Sequence, residues 1–256
     1  MTELLTIQFR VIGALVLREA RSSFGNTKLG YLWTILSPAF GVFLLVMIFS
    51  AVGRSPSIGT SFALFFATGI MPFQAFVKIN SNLMTAIKSS RGLLTYPMVK
   101  ETDIVFSKYL FYYLTFVLVM LMFFNMLIAV DMAFPPQRLE TVLMAFTSVT
   151  LLALGAGMTN AVIFKLWSSW QPIEAILSRP LFFISGILYI PSEFPSNIVY
   201  FLSWNPILHG IEWFREGYYG YYTSSVLDKS YLLGVALTLL LIGFTGERVY
   251  RKVPIR

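Results

Sequence analysis

Long apolar stretches, separated by short polar segments, make up most of this chain. Several of them reach the roughly 20 residues that a helix needs to cross the hydrocarbon core of a bilayer. The pattern predicts six membrane-spanning helices, at residues 31–53, 62–84, 104–130, 141–166, 173–190 and 230–247. Because helices satisfy their own backbone hydrogen bonds inside a membrane, the predicted fold class is an all-α integral membrane protein.

The segments outside these spans differ in character. Residues 1–30 hold a stretch, 3–22, in which polar positions such as Arg10 and apolar positions such as Phe9 follow separate stripes at helical spacing. That arrangement is typical of an amphipathic helix at a membrane interface. Residues 191–229 are rich in aromatic residues, Gly and Pro, and we expect them to be partly embedded in the membrane. With the basic tail 248–256, the whole chain is predicted to form a single transmembrane domain.

Composition supports the membrane class, since 57% of the residues are hydrophobic and 12% are charged. The chain has no cysteine and one histidine, His209, which argues against a disulfide or a zinc centre. Its net charge is +7, from 19 basic and 12 acidic residues. With both termini in the cytoplasm, the outer side holds only Arg54, Arg138, Arg215 and Lys229. The basic charge therefore predicts topology and gives no indication of nucleic-acid binding.

No phosphate-binding loop of the G-x-x-x-x-G-K-[ST] type occurs in the sequence, so a P-loop ATPase must be a partner if ATP drives this protein. Two other classes stay open. A polytopic membrane enzyme would need clustered acidic residues, and the sequence has no D-x-D motif or paired carboxylates. A secondary carrier would use an acidic residue at membrane depth, whereas Asp131 and Glu174 lie at span ends, where we expect them to be solvated.

Two basic residues and several aromatic ones are candidates for a substrate path. Lys78 either extends to the interface or faces a polar cavity near an anionic substrate, and Arg179 can face a cavity where Pro180 breaks the fifth helix. The aromatic residues either form an interfacial belt or stack against sugar rings. The predicted path residues are Tyr31, Trp33, Phe40, Lys78, Trp167, Trp170, Arg179, Phe183 and Tyr189. Ala153, Gly157 and Ala161 form a ridge of small residues that predicts close helix packing.

Three clusters of motifs carry a family resemblance. The first cluster is Arg18-Glu19-Ala20-Arg21 with Phe24-Gly25, Leu29-Gly30-Tyr31-Leu32-Trp33 and Pro38. The second is Gly69-Ile70-Met71-Pro72-Phe73 with Tyr96-Pro97-Met98-Val99-Lys100 and Asp103. The third is Pro180, Phe183 and Ser185-Gly186-Ile187-Leu188-Tyr189 with Asn205-Pro206, His209, Glu212, Arg215, Gly217 and Tyr218. Together they resemble the membrane permeases of type-2 ABC exporters, in particular the capsular polysaccharide branch. The resemblance covers nearly the whole chain.

The resemblance implies a homodimer bound to two copies of a separate ABC ATPase, which would bind the ATP and Mg²⁺. The substrate would be a lipid-linked, acidic capsular polysaccharide leaving the cytoplasm across the bacterial inner membrane, with periplasmic and outer-membrane export proteins as further partners. A permease for O-antigen or teichoic acid is the alternative within this class. Residues 191–229 would then form a re-entrant hairpin on the outer side.

Two sets of site residues follow from the resemblance. The residues implied to transmit the movement of the ATPase are Arg18, Arg21, Ser89, Ser90, Arg91, Tyr96 and Pro97. Those implied to gate the outer side are Trp204, Asn205, Pro206, His209, Glu212 and Arg215. Simpler interpretations stay open. Arg18 and Arg21 can bind lipid headgroups. His209, Glu212 and Arg215, which are spaced by three, can form a local salt-bridged network on a helix.

Overall fold

The computed structural model describes residues 2–24, 30–52, 55–96 and 98–250. All regular elements within these residues are helical, as predicted. The helices are α1 (Thr2–Phe24), α2 (Gly30–Ala51), α3 (Phe62–Met84), α4 (Ala86–Ser89), α5 (Glu101–Ala129), α6 (Leu139–Leu166), α7 (Trp170–Ile184), α8 (Ser196–Leu202), α9 (Pro206–Tyr219) and α10 (Lys229–Tyr250). Short 3₁₀ turns lie at Arg91–Thr95 and Pro191–Glu193.

Four of these helices, α3, α5, α6 and α10, are long and apolar enough to cross a membrane. They confirm the predicted spans 62–84, 104–130, 141–166 and 230–247 as apolar helices. The predicted first span corresponds to α2, of which Ala39–Ala51 counts as a shorter apolar helix among the described residues. The fifth corresponds to α7, which has 15 residues and ends at Ile184 instead of at 190.

The early end of α7 has a local cause. Gly186 follows with a φ of 75°, a left-handed conformation that stops a helix and that glycine adopts without strain. At about 1.5 Å per residue, a helix of this length rises roughly 22 Å, less than the roughly 30 Å of a hydrocarbon core. The predicted spans at 31–53 and 173–190 therefore stay predictions.

The core of the bundle is built around α6, which packs against α3, α9 and α10. Small residues allow the close approach: a Cβ atom on Gly157 would lie 2.7 Å from the Cβ of Leu83, and one on Gly243 would lie 2.7 Å from the Cβ of Met158. Ala153 and Ala161 of the predicted ridge are buried. These contacts agree with the packing role predicted for the ridge.

Candidate functional site

The first candidate region is the surface formed by α1 and residues 85–96, which we call the α1–α4 surface. Lys108 of α5 connects its two parts, because its Nζ lies 3.3 Å from Glu19 Oε1 and donates a 3.1 Å hydrogen bond to Ser89 Oγ. Lys108 and Glu19 are both largely shielded from solvent. One ammonium group thus links the predicted interfacial helix to the predicted coupling segment.

The two arginines of the first motif face solvent. Arg18 and Arg21 are exposed, while Glu19 between them contacts Lys108. Of the remaining predicted coupling residues, Ser89, Arg91 and Tyr96 are exposed and Ser90 is buried, whereas Pro97 lies outside the described residues. The exposed side chains leave the α1–α4 surface basic and accessible.

A buried ion pair lies beside this surface. Lys165, at the end of α6, donates to both carboxylate oxygens of Glu101, at the start of α5, at 2.9 and 3.2 Å. Both residues are buried, so the pair is shielded from water and counter-ions. Asp103 accepts a 3.0 Å hydrogen bond from the backbone N–H of Lys100 and so caps α5. The ends of α5 and α6 therefore form a fixed base under the α1–α4 surface.

A second network, which we call the Glu174 network, fixes one face of α7. Glu174 Oε1 accepts hydrogen bonds from Asn80 Nδ2 of α3 at 2.7 Å and from Ser178 Oγ at 2.6 Å. Asn160 Nδ2 of α6 donates to Asn80 Oδ1, and the indole N–H of Trp170 donates to Asn160 Oδ1 at 3.0 Å. The expectation that Glu174 is solvated was wrong: it is buried, and Asn80 and Ser178 take the place of water as hydrogen-bond donors to its carboxylate.

The third region lies at the other end of the bundle, where Arg215 of α9 holds the loop that follows α7. Its guanidinium donates to the carbonyl oxygens of Gly186, Ile187 and Tyr189 at 2.6, 3.1 and 3.1 Å. It also pairs with Glu212 Oε1 at 3.2 Å and lies 4.3 Å from the centre of the Phe65 ring. Both charged side chains have no solvent exposure.

Glu212 is fully satisfied by short hydrogen bonds. Its Oε2 accepts from Tyr222 and, at 2.7 Å, from Ser224. Burial, and next the charge of Glu212, raise the pKa of Tyr222 above its usual value, so the phenol stays protonated as a donor at neutral pH. The interpretation as a local salt-bridged network thus holds for Glu212 and Arg215.

His209 makes different contacts. Its Nδ1 accepts a 3.0 Å hydrogen bond from the backbone N–H of Asp228, which assigns the ring proton to Nε2, and Nε2 lies 2.8 Å from the Ser203 carbonyl oxygen. Asn205 caps α9 through Ile207 N and donates to Ser185 Oγ at 2.9 Å. Four of the predicted outer-gate residues are buried: Asn205, His209, Glu212 and Arg215. Trp204, also in that set, is 64% exposed.

An open cavity of about 720 Å³ lies next to the loop held by Arg215. Aromatic side chains form most of its wall, together with two serines and one carboxylate. The lining residues are Phe49, Ser55, Ser57, Phe62, Phe65, Phe66, Leu188, Tyr189, Glu193 and Phe194. Aromatic faces suit stacking against sugar rings, and the serines and Glu193 can accept hydrogen bonds from sugar hydroxyl groups. Of these lining residues, Tyr189 is the one that belongs to the predicted path.

Among the side chains that the structure describes, the other predicted path residues do not meet in one place. Phe40 on α2, Lys78 on α3, Trp167 before α7, and Arg179 and Phe183 on α7 are exposed. Trp170 is half-buried in the Glu174 network. The side chains of Tyr31 and Trp33 lie outside what the structure describes. An exposed face of α7 opposite the Glu174 network is thus open to lipid or to another protein.

Comparison with known families assigns this architecture. The model of the ABC-2 type transporter family matches residues 10–219, which is most of the chain and includes Glu19, Glu174 and Arg215 of the three regions described above. The chain belongs to the ABC-2 type transporter family. The recognition made from the three motif clusters is thereby confirmed.

Individual relatives cover nearly the full length of this ABC-2 type transporter. The polysialic acid transport protein KpsM of Escherichia coli is 30% identical over 242 residues, which is 94% of each chain. The capsule polysaccharide export inner-membrane protein BexB of Haemophilus influenzae is 25% identical over 248 residues, 97% of this chain and 94% of BexB. The O-antigen export system permease protein RfbA of Klebsiella pneumoniae is 19% identical over 248 residues, 97% of this chain and 93% of RfbA.

Sequence reasoning did not select as site residues three residues that organise this ABC-2 type transporter: Glu19, named there only within a motif, Glu174, expected there to be solvated, and Lys108. A charged residue within an apolar helix is costly in a membrane unless it has a partner, and that signal marks Lys108 and Glu174. The partners themselves cannot be read from local spacing, because Glu174 bonds to a residue 94 positions away.

Proposed function

We propose that this chain is the transmembrane permease subunit of an ATP-driven exporter that moves lipid-linked capsular polysaccharide across the bacterial inner membrane. The observation that carries the proposal is the near full-length similarity to KpsM and BexB, whose names describe polysialic acid transport and capsule polysaccharide export. The lower identity to the O-antigen permease favours capsule as the substrate class.

Two copies of the chain form the translocation path in this proposal. Helices α2 and α7 complete six spans per copy, and their exposed residues Phe40, Arg179 and Phe183 face the path. The Glu174 network supports this, because it fixes one face of α7 on the body of the bundle and leaves the opposite face free. Both termini lie in the cytoplasm, consistent with the basic residues that the sequence concentrates on that side.

The energy comes from two copies of a separate ABC ATPase, which bind ATP and Mg²⁺ and dock on the α1–α4 surface. Arg18, Arg21 and Arg91 contact the ATPase there. The link from Glu19 through Lys108 to Ser89 supports this role, because it makes the two docking segments move together. Movement passes from the α1–α4 surface into α5, whose other end approaches the outer side.

On the outer side, residues 191–229 form a re-entrant hairpin that gates the exit. Arg215 holds the loop after α7 on this hairpin, so that the gate and the path helix are mechanically connected. The aromatic cavity beside the loop receives sugar units as they leave. Periplasmic and outer-membrane export proteins take over the polymer from there.

Affinity purification of the tagged chain from its native host in mild detergent tests the proposal. We expect an ABC ATPase at near-equal stoichiometry, and Arg18→Ala with Arg21→Ala to lower its recovery severalfold. Arg138→Ala is the control, since Arg138 is an exposed arginine that lies outside the α1–α4 surface. Recovery of the chain without any ATPase in several detergents would refute the ATP-driven mechanism.

Deletion of the gene separates capsule from other substrates. We expect capsular polysaccharide to accumulate inside the cells, while surface O-antigen or teichoic acid stays at its normal level. Loss of one of those polymers in place of capsule would assign the permease to the alternative substrate.

A further inference from the structure

A groove runs along α10 on the side of the bundle and has a polar end and an apolar end. The polar end is a cavity of about 340 Å³ lined by Tyr200, Ser203, Trp204, His209, Val226, Asp228 and Tyr231. The apolar end is a cavity of about 300 Å³ lined by Tyr231, Gly234, Val235, Thr238 and Leu239. Tyr231 lines both, so the two cavities adjoin at this residue.

The polar end combines three aromatic rings with one carboxylate. Tyr200, Trp204 and Tyr231 provide the rings, and Asp228 is exposed to the cavity with its Oδ1 accepting the backbone N–H of Tyr231 at 2.9 Å. The nearest basic residue in sequence, Lys229, has its Nζ 5.1 Å from the Trp213 ring centre instead. Aromatic faces around a carboxylate are the surroundings in which proteins bind ammonium groups.

Hydrogen bonds hold the walls of this pocket in place. Tyr231 donates its hydroxyl to the Trp204 carbonyl oxygen at 2.8 Å. His209 connects the Ser203 carbonyl oxygen to the backbone N–H of Asp228. The end of α8, the start of α9 and the start of α10 are therefore joined around the cavity, and a ligand meets a preformed site, which lowers the ordering cost of binding.

The apolar end follows one face of α10, because its lining residues recur at helical spacing. A Cβ atom on Gly234 would meet no atom within 4 Å, so the backbone there is open. Thr238 donates its hydroxyl to the Gly234 carbonyl oxygen at 2.8 Å, so this hydroxyl needs no partner from a ligand. From Tyr231 to Leu239 the helix rises about 12 Å, at roughly 1.5 Å per residue, so this groove covers part of one acyl chain. Helix α10 is a candidate span, and only 28% of its apolar stretch is buried. The groove side of α10 is therefore open to lipid.

We propose that this groove holds one phospholipid with an amine headgroup, its ammonium between Tyr200, Trp204 and Tyr231 beside Asp228 and one acyl chain along α10. The polar end of the site lies on the hairpin 191–229, but the site shares no lining residue with the aromatic cavity beside the loop after α7 or with the α1–α4 surface. Its occupant would brace the start of α10 against α8 and α9 without being transported. The inference stands whether or not the exported polymer is capsule.

Native mass spectrometry of the purified transporter tests the headgroup preference. Phosphatidylethanolamine and phosphatidylglycerol with identical acyl chains are added in separate titrations. We expect phosphatidylethanolamine to bind about fivefold more tightly, in line with one cation–π contact beside a carboxylate. In Asp228→Asn this preference falls below twofold, while the cap on α10 is kept because asparagine also accepts the Tyr231 N–H.

Asp131→Asn is the matched control. Asp131 is an exposed acidic residue in another loop, and its φ of 56° suits asparagine, so the fivefold preference should stay unchanged. Trp204→Leu is the second test variant, since its exposed ring can be replaced without disturbing the core. We expect it to reduce the preference as Asp228→Asn does.

Photo-crosslinking locates the lipid. A phosphatidylethanolamine with a diazirine in its acyl chain should label the peptide that contains residues 231–239, and Asp228→Asn should reduce that labelling severalfold. Equal affinity for both lipids in the unmodified protein would overturn the proposal. So would a preference that survives both Asp228→Asn and Trp204→Leu, or labelling confined to other helices.

Discussion

Replacing Arg215 by methionine tests how strongly the outer loop depends on one side chain. Arg215 donates hydrogen bonds to three carbonyl oxygens and to Glu212, and it has no exposure to solvent. Its removal leaves a buried carboxylate without a cation, which costs about 3–5 kcal/mol in proteins. Each carbonyl that loses its donor adds about 1–3 kcal/mol where no water replaces it. We therefore expect at least 3–5 kcal/mol of destabilisation.

The assay is the temperature at which the detergent-solubilised protein loses its monodisperse elution. A loss of about 3–5 kcal/mol lowers a midpoint by roughly 10 °C in a chain of this size, at about 2–4 °C per kcal/mol. The double variant Glu212→Gln with Arg215→Met should recover part of the loss, because the unpaired carboxylate is gone. The midpoint of Arg215→Lys should lie between those of Arg215→Met and the double variant, since an ammonium cannot reproduce the planar fork of a guanidinium.

A second measurement reports on the loop itself. The chain has no cysteine, so Ser192→Cys, at an exposed position in the 3₁₀ turn, gives a single labelling site. Labelling should be faster in Arg215→Met than with Arg215 intact, because the loop is no longer held. Arg138→Met, which replaces an exposed arginine, is the control. The reasoning is refuted if Arg215→Met melts within 2 °C of the control, or if the double variant is less stable than the single one.

Three further predictions concern the other networks. Lys108→Met should release α1 from α5 and raise the rate of tryptic cleavage in α1 severalfold, and Glu19→Gln should have the same effect because it removes the same ion pair. Glu174→Leu should cost about 1–3 kcal/mol by leaving buried donors unsatisfied, whereas Glu174→Gln should cost less because its amide oxygen still accepts; thermal midpoints compare them. Gly157→Ala should destabilise the protein by about 1–3 kcal/mol because its Cβ would lie 2.7 Å from the Cβ of Leu83, whereas Gly13→Ala, whose Cβ would meet no atom within 4 Å, should not lower the midpoint in the same assay.

Each of these predictions has a distinct contrary result. Unchanged cleavage of α1 in Lys108→Met would mean that other contacts hold that helix, among them the hydrogen bond from Gln8 to Asp103. Equal midpoints for the leucine and glutamine variants of Glu174 would exclude a hydrogen-bonding role for its carboxylate oxygen. Equal midpoints for Gly157→Ala and Gly13→Ala would show that α3 and α6 can move apart at this contact without loss of stability.

The long helices could be predicted because their cause is local. An apolar run of about 20 residues has few alternatives to a helix in a membrane, so α3, α5, α6 and α10 start and end close to the predicted bounds. The end of α7 was predicted less well. Residues 185–190 are as apolar as a helix end, but Gly186 turns the chain and Arg215, which is far away in sequence, binds the carbonyl groups of that turn.

The networks could not be predicted because their partners are distant in sequence. Glu101 meets Lys165 across 64 positions, and Asn80 meets Glu174 across 94. The Gly69 motif is a further case, because the sequence contains the motif but does not show why a glycine is needed there. A Cβ atom on Gly69 would lie 3.1 Å from the Ile187 Cα and 3.2 Å from Arg215 Nη2, so glycine leaves room for the loop and its clamp.

The most direct test of the central claim is transport by the purified chain in proteoliposomes, with and without its partner ATPase. We expect lipid-linked capsular polysaccharide to cross the bilayer only when both proteins and ATP with Mg²⁺ are present, and to stop when a non-hydrolysable ATP analogue replaces ATP. Transport by the chain alone, driven by a proton gradient without ATP, would contradict the account.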